Sequence, residues 1–144
     1  MSRRLRAEDG SILPLVFGFF AIALALVLVV TAATSLYLER SRLYTLADGA
    51  ALAGADSVVL DAAAGAGEGA GLLGDAAVAA AAADYLDAAT AGRRTPVGIA
   101  LADSPDGRSA RVRLAEDWRP PLLSVFVPSG VHLEVEGRAR PVFW

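Results

Sequence analysis

The sequence predicts an α+β protein: a long N-terminal transmembrane helix, a second helix, and a small, about three-stranded antiparallel sheet. Three observations carry this prediction. Twenty-eight consecutive residues from Ser11 to Leu38 are uncharged, helical spacing then continues without Gly or Pro as far as Gly49, and the hydrophobic period becomes twofold after Pro96.

The apolar segment is long enough to span. At 1.5 Å per residue its helix reaches about 42 Å, against a hydrocarbon core of about 30 Å. Ile12 to Val30 holds fourteen Leu, Ile, Val or Phe residues, an apparent insertion free energy of roughly −4 to −8 kcal/mol. Ser11 is placed to cap the helix start, and Pro14 falls in the first turn, where its missing N–H removes no helical bond. The competing assignment is a cleaved signal peptide, with Arg3, Arg4 and Arg6 as its basic region and Thr31-Ala32-Ala33 as a small-residue cleavage site. Its apolar core of 19 residues, Ile12 to Val30, exceeds the roughly 7 to 15 of a signal peptide and favours a retained anchor. Three arginines precede the span, and Arg40 and Arg42 follow it. That bias places the N-terminus in the cytoplasm and Glu39–Trp144 outside the cell membrane, in a single-pass topology.

Composition narrows the function. The 144 residues are 55% hydrophobic but only 7% aromatic, so small side chains fill much of the core; 13 Arg without Lys oppose 16 acids, for a net charge of −3. No basic surface for nucleic acid is expected. With no Cys and one His, thiolate metal sites, disulfides and cysteine nucleophiles are excluded, as are multi-histidine centres within one chain. No cofactor, metal or small-molecule substrate is indicated, and the chain reads as a non-enzyme.

Beyond the membrane, Leu36, Leu43, Leu46, Ala47, Ala50 and Gly54 form one stripe of a continued helix, with Glu39 and Arg42 free to pair at i,i+3. Leu36, Leu43, Ala47, Ala50 and Gly54 are the expected helix-packing face, because small residues let another backbone approach closely. Five glycines in GAGEGAGLLG, residues 65–74, predict a mobile loop; the segment lacks the strand and the Lys-Ser/Thr of a phosphate loop. Asp75 is expected to cap a second helix with Val78, Ala82, Tyr85, Leu86 and Ala89 on its inner face, Asp84 and Asp87 outside, and Gly92 at its end.

Val97, Ile99 and Leu101 alternate with small residues, Ser104-Pro105-Asp106-Gly107 supplies a turn, and Ala110, Val112 and Leu114 alternate with Arg111 and Arg113. This predicts a β-hairpin. In the last strand Val131, Leu133, Val135 and Ala139 face inward, while His132, Glu134, Glu136, Arg138 and Arg140 face water. Leu122 to Val127, between proline-rich turns, is too short for its period to assign. The domain plan is therefore a basic leader (1–10), the transmembrane helix (11–38), its exposed continuation (39–64), the glycine-rich loop (65–74), and a helix-plus-sheet unit (75–144).

Isolated chemical candidates are weak. His132 beside Glu134 is a solvated polar pair by default; Asp103 and Asp106 suit a turn better than a cation that needs six or more oxygens. Among the large side chains, Trp118, Phe126, Phe143 and Trp144 are candidate core plugs, interfacial anchors or partner contacts.

The order of parts resembles type IV pilin-like proteins. EDGSILPLVFGFF before the membrane, LADGAALAGAD after it, and a Leu-Leu-x-Val-Phe-Val stretch ahead of a closing strand with Arg-Ala-Arg are similar to TadE/TadG-like proteins of the tight-adherence (Flp) pilus system. The likeness covers residues 8 to 56, and 120 to 141 more loosely. It implies a pilin-like domain, a minor-pilin or assembly role in a pilus or related secretion apparatus, and partners among membrane lipid and other pilin-like or pilus-assembly proteins. It also marks Gly10 and Ser11 as a possible processing site. Leu15 stands where a processed pilin carries glutamate, so an uncleaved anchor stays open. A membrane-tethered extracytoplasmic binding module, unrelated to pili, is the alternative.

Overall fold

A computed structural model of the chain describes residues 12–63, 74–119 and 128–141. The leader with Gly10 and Ser11, nearly all of the glycine-rich segment, Leu122 to Val127 with Phe126, and Phe143 and Trp144 lie outside the described residues.

Helix α1 (Ile12–Ala63) runs unbroken for 52 residues, about 78 Å. Its first half is bare. Phe17, Phe19, Phe20 and Ile22 are 68%, 75%, 67% and 70% exposed, and none of the apolar window is buried by the rest of the protein. So large a contiguous apolar surface is not sustained in water. Its length and apolarity fit a bilayer, and the chain is a single-pass membrane protein with a folded domain outside the membrane. Thr31 and Thr34 donate their hydroxyl hydrogens to the Val27 and Val30 carbonyls, 2.8 and 2.9 Å away, so neither presents an unpaired polar group to lipid.

The second half of α1 is the spine of that domain. Helix α2 (Asp75–Ala89) runs back alongside it, and β1 (Gly98–Asp103), β2 (Ala110–Trp118) and β3 (Val131–Ala139) form an antiparallel meander in the order β1-β2-β3. Both helices lie on one face of the sheet, α1 over β2 and β3 and α2 over β1 and β2. Between the layers are Leu43, Ala47, Ala50, Ala51 and Ala55 of α1, Val78, Ala82 and Leu86 of α2, and Ala110, Val112, Leu114 and Val135 of the sheet. Alanine dominates because the layers approach closely, and a larger side chain on α1 would force them apart.

Four details depart from the sequence expectation. Asp75 does not cap α2. Gly74 occupies the cap position without a side-chain bond, and Asp75 Oδ1 instead accepts the backbone N–H of Ser104 at 2.8 Å, tying the start of α2 to the hairpin turn. Ala89 is exposed, since the helix leaves the core after Leu86 and is closed by Thr90, whose N–H and hydroxyl both donate to the Leu86 carbonyl. A bulge in β1 changes the phase of alternation. Ile99 pairs with Leu114 but Leu101 with Arg113, leaving Ala100 unpaired, so Leu101 joins the outer face and Ala102, opposite Val112, packs inward. The last strand keeps its predicted alternation from Leu133 onward, with Val135 buried, Leu133 and Ala139 packed against the core and Glu134 and Arg138 exposed, but Val131 at its start, expected inward, is exposed because it lies beyond the core.

Candidate functional site: the membrane-proximal end of the domain

Where α1 leaves the membrane, three elements are joined by one guanidinium. Arg93, three residues past the α2 cap, donates to Glu39 Oε1 of α1 at 2.5 Å and to both carboxylate oxygens of Glu116 on β2, at 3.2 and 3.1 Å. Glu116 is only 3% exposed. Its position follows the inward alternation of Ala110, Val112 and Leu114, so the strand geometry forces a carboxylate into the interior. Burial pushes the Glu116 carboxyl above its ordinary value, Arg93 opposes that rise, and the nearby Glu39 reinforces it. Arg93 is itself held above its usual value: partial burial works against its charge, and the bonds and charges of Glu39 and Glu116 outweigh it. Two acids thus share one base, and the three side chains bridge α1, the segment after α2, and β2. Chemically the cluster is a latch, satisfied internally.

Beside the latch lies an open cleft of about 750 Å³, lined by Glu39, Arg94, Trp118, Arg119 and His132 among others. Trp118 is 9% exposed. It continues the inward phase of β2 beyond Glu116, at the strand's end. His132 Nδ1 lies 2.8 Å from Asp117 Oδ1 across the β2–β3 register, and both side chains are largely exposed. Among the described residues no group of three or more His, Asp or Glu is placed to hold a metal ion.

The outer sheet face is a lattice of ion pairs. Arg111 grips Asp103 with two bonds, Arg113 reaches Glu134 and Glu136, Arg138 reaches Glu136, and Arg140 reaches Asp106. Asp106 organises the hairpin turn, accepting from the Arg108 and Ser109 amides and the Ser109 hydroxyl. Those bonds drive its carboxyl far below the usual range. Asp103 and Asp106 thus serve the strand and the turn, as turn chemistry suggests.

The predicted helix-packing face does pack, but within the chain. Leu43, Ala47, Ala50 and Gly54 are buried and Leu36 is half-buried. Space for a Cβ at Gly54 is closed by Val78 and Ala110, and at Gly49 by the Tyr85 ring. The chain's own second helix and sheet therefore occupy the surface that sequence assigns to close helix contact. The Glu39–Arg42 pair forms only loosely, at 3.6 Å, because Arg93 competes for the same carboxylate.

Sequence reasoning passed over Arg93 and Glu116. The available signal was Glu116 itself, a charge in the inward phase of an apolar strand. Arg93 carries no local mark of its role.

No protein-family model matches this chain, and comparison with curated proteins and with solved structures gives no match.

Proposed function

We propose that the protein is a non-catalytic, membrane-tethered binding module, its head extracytoplasmic and its N-terminus cytoplasmic, which takes an extended segment of another protein onto the edge of its sheet. The carrying observation is the contrast between the two edges. β1 has six residues and a bulge, features that blunt an edge. β3 has nine residues in unbroken register with β2, and among the described residues no strand pairs with its other side. A regular, unpaired edge of that length supports β-strand addition. Photocrosslinking from position 134 in native membranes tests this. Adducts mapping to an extended segment of another chain are expected, and the reading fails if position 134 yields none.

A second reading rests on the shape of α1: an apolar membrane half and a half embedded in an α+β head are what the resemblance to TadE/TadG-like proteins implies. In that case the surface for lateral helix association is Ile12–Leu38, since Leu43, Ala47, Ala50 and Gly54 are already covered. Mass spectrometry of the mature N-terminus separates the two readings. A terminus at Ser11, with genes for an assembly ATPase and platform proteins alongside, favours the pilus. The intended orientation is checked by labelling a single cysteine introduced at Ser129 from outside intact cells, which is clean in a chain with no Cys.

A further inference from the structure

We propose that the arginines at the membrane-proximal end of the head, Arg40, Arg42, Arg94 and Arg119, form a seat for anionic phospholipid headgroups of the leaflet from which α1 emerges.

The fold brings these residues to one level. Arg93 bonds to Glu39 across 54 positions of sequence, and Arg94 and Arg119 line the same cleft as Glu39. Arg40 and Arg42 flank Glu39 on α1 itself. A hydrocarbon span of about 20 residues starting at Ile12 ends near Thr31, so Glu39 stands about 12 Å beyond the hydrocarbon. The headgroup layer is about 5–8 Å deep on each side. Tyr37, 73% exposed, stands about 9 Å out, at the outer edge of that layer, where interfacial tyrosines are found. The arginine backbones therefore stand just outside the headgroups, and their long side chains can reach back to them.

Charge at this level is not balanced. Among the described residues at this level, five arginines (Arg40, Arg42, Arg93, Arg94 and Arg119) stand against three acids: Glu39 and Glu116, which share Arg93, and Asp117, which lies beside His132. Among the described residues Arg40, Arg94 and Arg119 have no carboxylate partner, and Arg42 has only the 3.6 Å contact to the Glu39 that Arg93 holds. Arg40 lies 5.7 Å from the Tyr44 ring centroid, a contact that steadies it without neutralising it. Elsewhere on the head the pattern reverses: Arg111, Arg113, Arg138 and Arg140 are all paired, and among the described residues there Arg108 alone is exposed without an acid. The acids of the helical flank, Asp48, Asp84 and Asp87, lie about two helical turns further from the membrane, as the packing of Tyr85 on Gly49 fixes. Exposed guanidinium groups facing a bilayer match phosphate oxygens in geometry and charge.

The test uses the full chain in phosphatidylcholine bilayers with trace spin-labelled lipid. Motionally restricted phosphatidylglycerol should exceed phosphatidylcholine by about five-fold or more, the effect of one surface arginine, and high salt should reduce the preference. Replacing Arg40, Arg94 and Arg119 by Gln should remove most of it, while replacing Arg3, Arg4 and Arg6 should leave a preference in place. Circular dichroism of each variant confirms that the head is folded. Equal restriction of the two lipids overturns the proposal, as does a preference that follows the leader arginines alone. So does displacement by soluble glycerol phosphate, which identifies a free-phosphate site instead. Strand addition at β3 is untouched by any of these results.

Discussion

Gly137 of β3 lies against the Ala47 carbonyl of α1 with no space between them for a side chain: a Cβ at position 137 would overlap the Ala47 carbonyl group and the Asp48 nitrogen. Backbone meets backbone at this point, and it fixes the separation of helix and sheet. Gly137→Ala is expected to destabilise the head by about 1–3 kcal/mol or more, because neither main chain can yield locally. Thermal unfolding of the full chain in micelles measures it. A loss below a few tenths would show that the layers slide freely.

Gly49 is crowded as well, but by the hydroxyl end of Tyr85, a half-buried ring that can rotate toward solvent. Replacing a helical Gly by Ala gains about 1 kcal/mol of propensity, which offsets the displaced ring. Gly49→Ala should therefore fall within about 1 kcal/mol of the parent. A loss equal to that of Gly137→Ala would mean that the ring is locked.

Removing Arg93 leaves Glu116 buried without a partner. Arg93→Met should cost about 3–5 kcal/mol at neutral pH. Glu116 already has its pKa raised above the ordinary 4.5, so the folded state retains a proton that the unfolded chain releases. The charged form therefore costs stability as pH rises through the raised value, and the penalty is relieved toward pH 4.5. Denaturant titrations across that window should show the Arg93→Met defect shrinking with acid, and Glu116→Gln should rescue it. A pH-independent defect would contradict the latch.

Asp103 and Glu136 have the opposite sign. Arg111 lowers the first and Arg113 the second, so their contribution is full above the ordinary 3.8 and 4.5 and is lost as pH falls through the lowered values. These groups are solvated, and each pair contributes little to stability. Arg113→Gln should lower stability only slightly at neutral pH and have less effect in high salt, as equilibrium unfolding would show.

Asp106 matters more than those pairs because it accepts three bonds inside the turn. Asp106→Ala leaves the buried Ser109 amide and hydroxyl without that acceptor and should lower stability measurably. Hydrogen exchange at the Ser109 amide should accelerate with it; an unchanged rate would show that other groups hold the turn.

Much of this molecule is written locally. Hydrophobic period alone determined the membrane helix, its continuation as one rod, the inner face of α2 through Val78, Ala82 and Leu86, and the two faces of β3 from Leu133 onward, because burial on one side imposes a repeat that neighbouring residues carry. Tertiary structure decided the rest. It set which surface covers Leu43, Ala47, Ala50 and Gly54, and it shifted the phase at Ala100, where one unpaired residue sends Leu101 outward. It also brought Arg93 to Glu39 and Glu116, 54 and 23 positions away, and gathered Arg94 and Arg119 beside the membrane exit. A period is a property of adjacent residues, whereas a charge finds its partner only after the chain has folded back on itself, so the long-range pairings leave no signature in a single sequence.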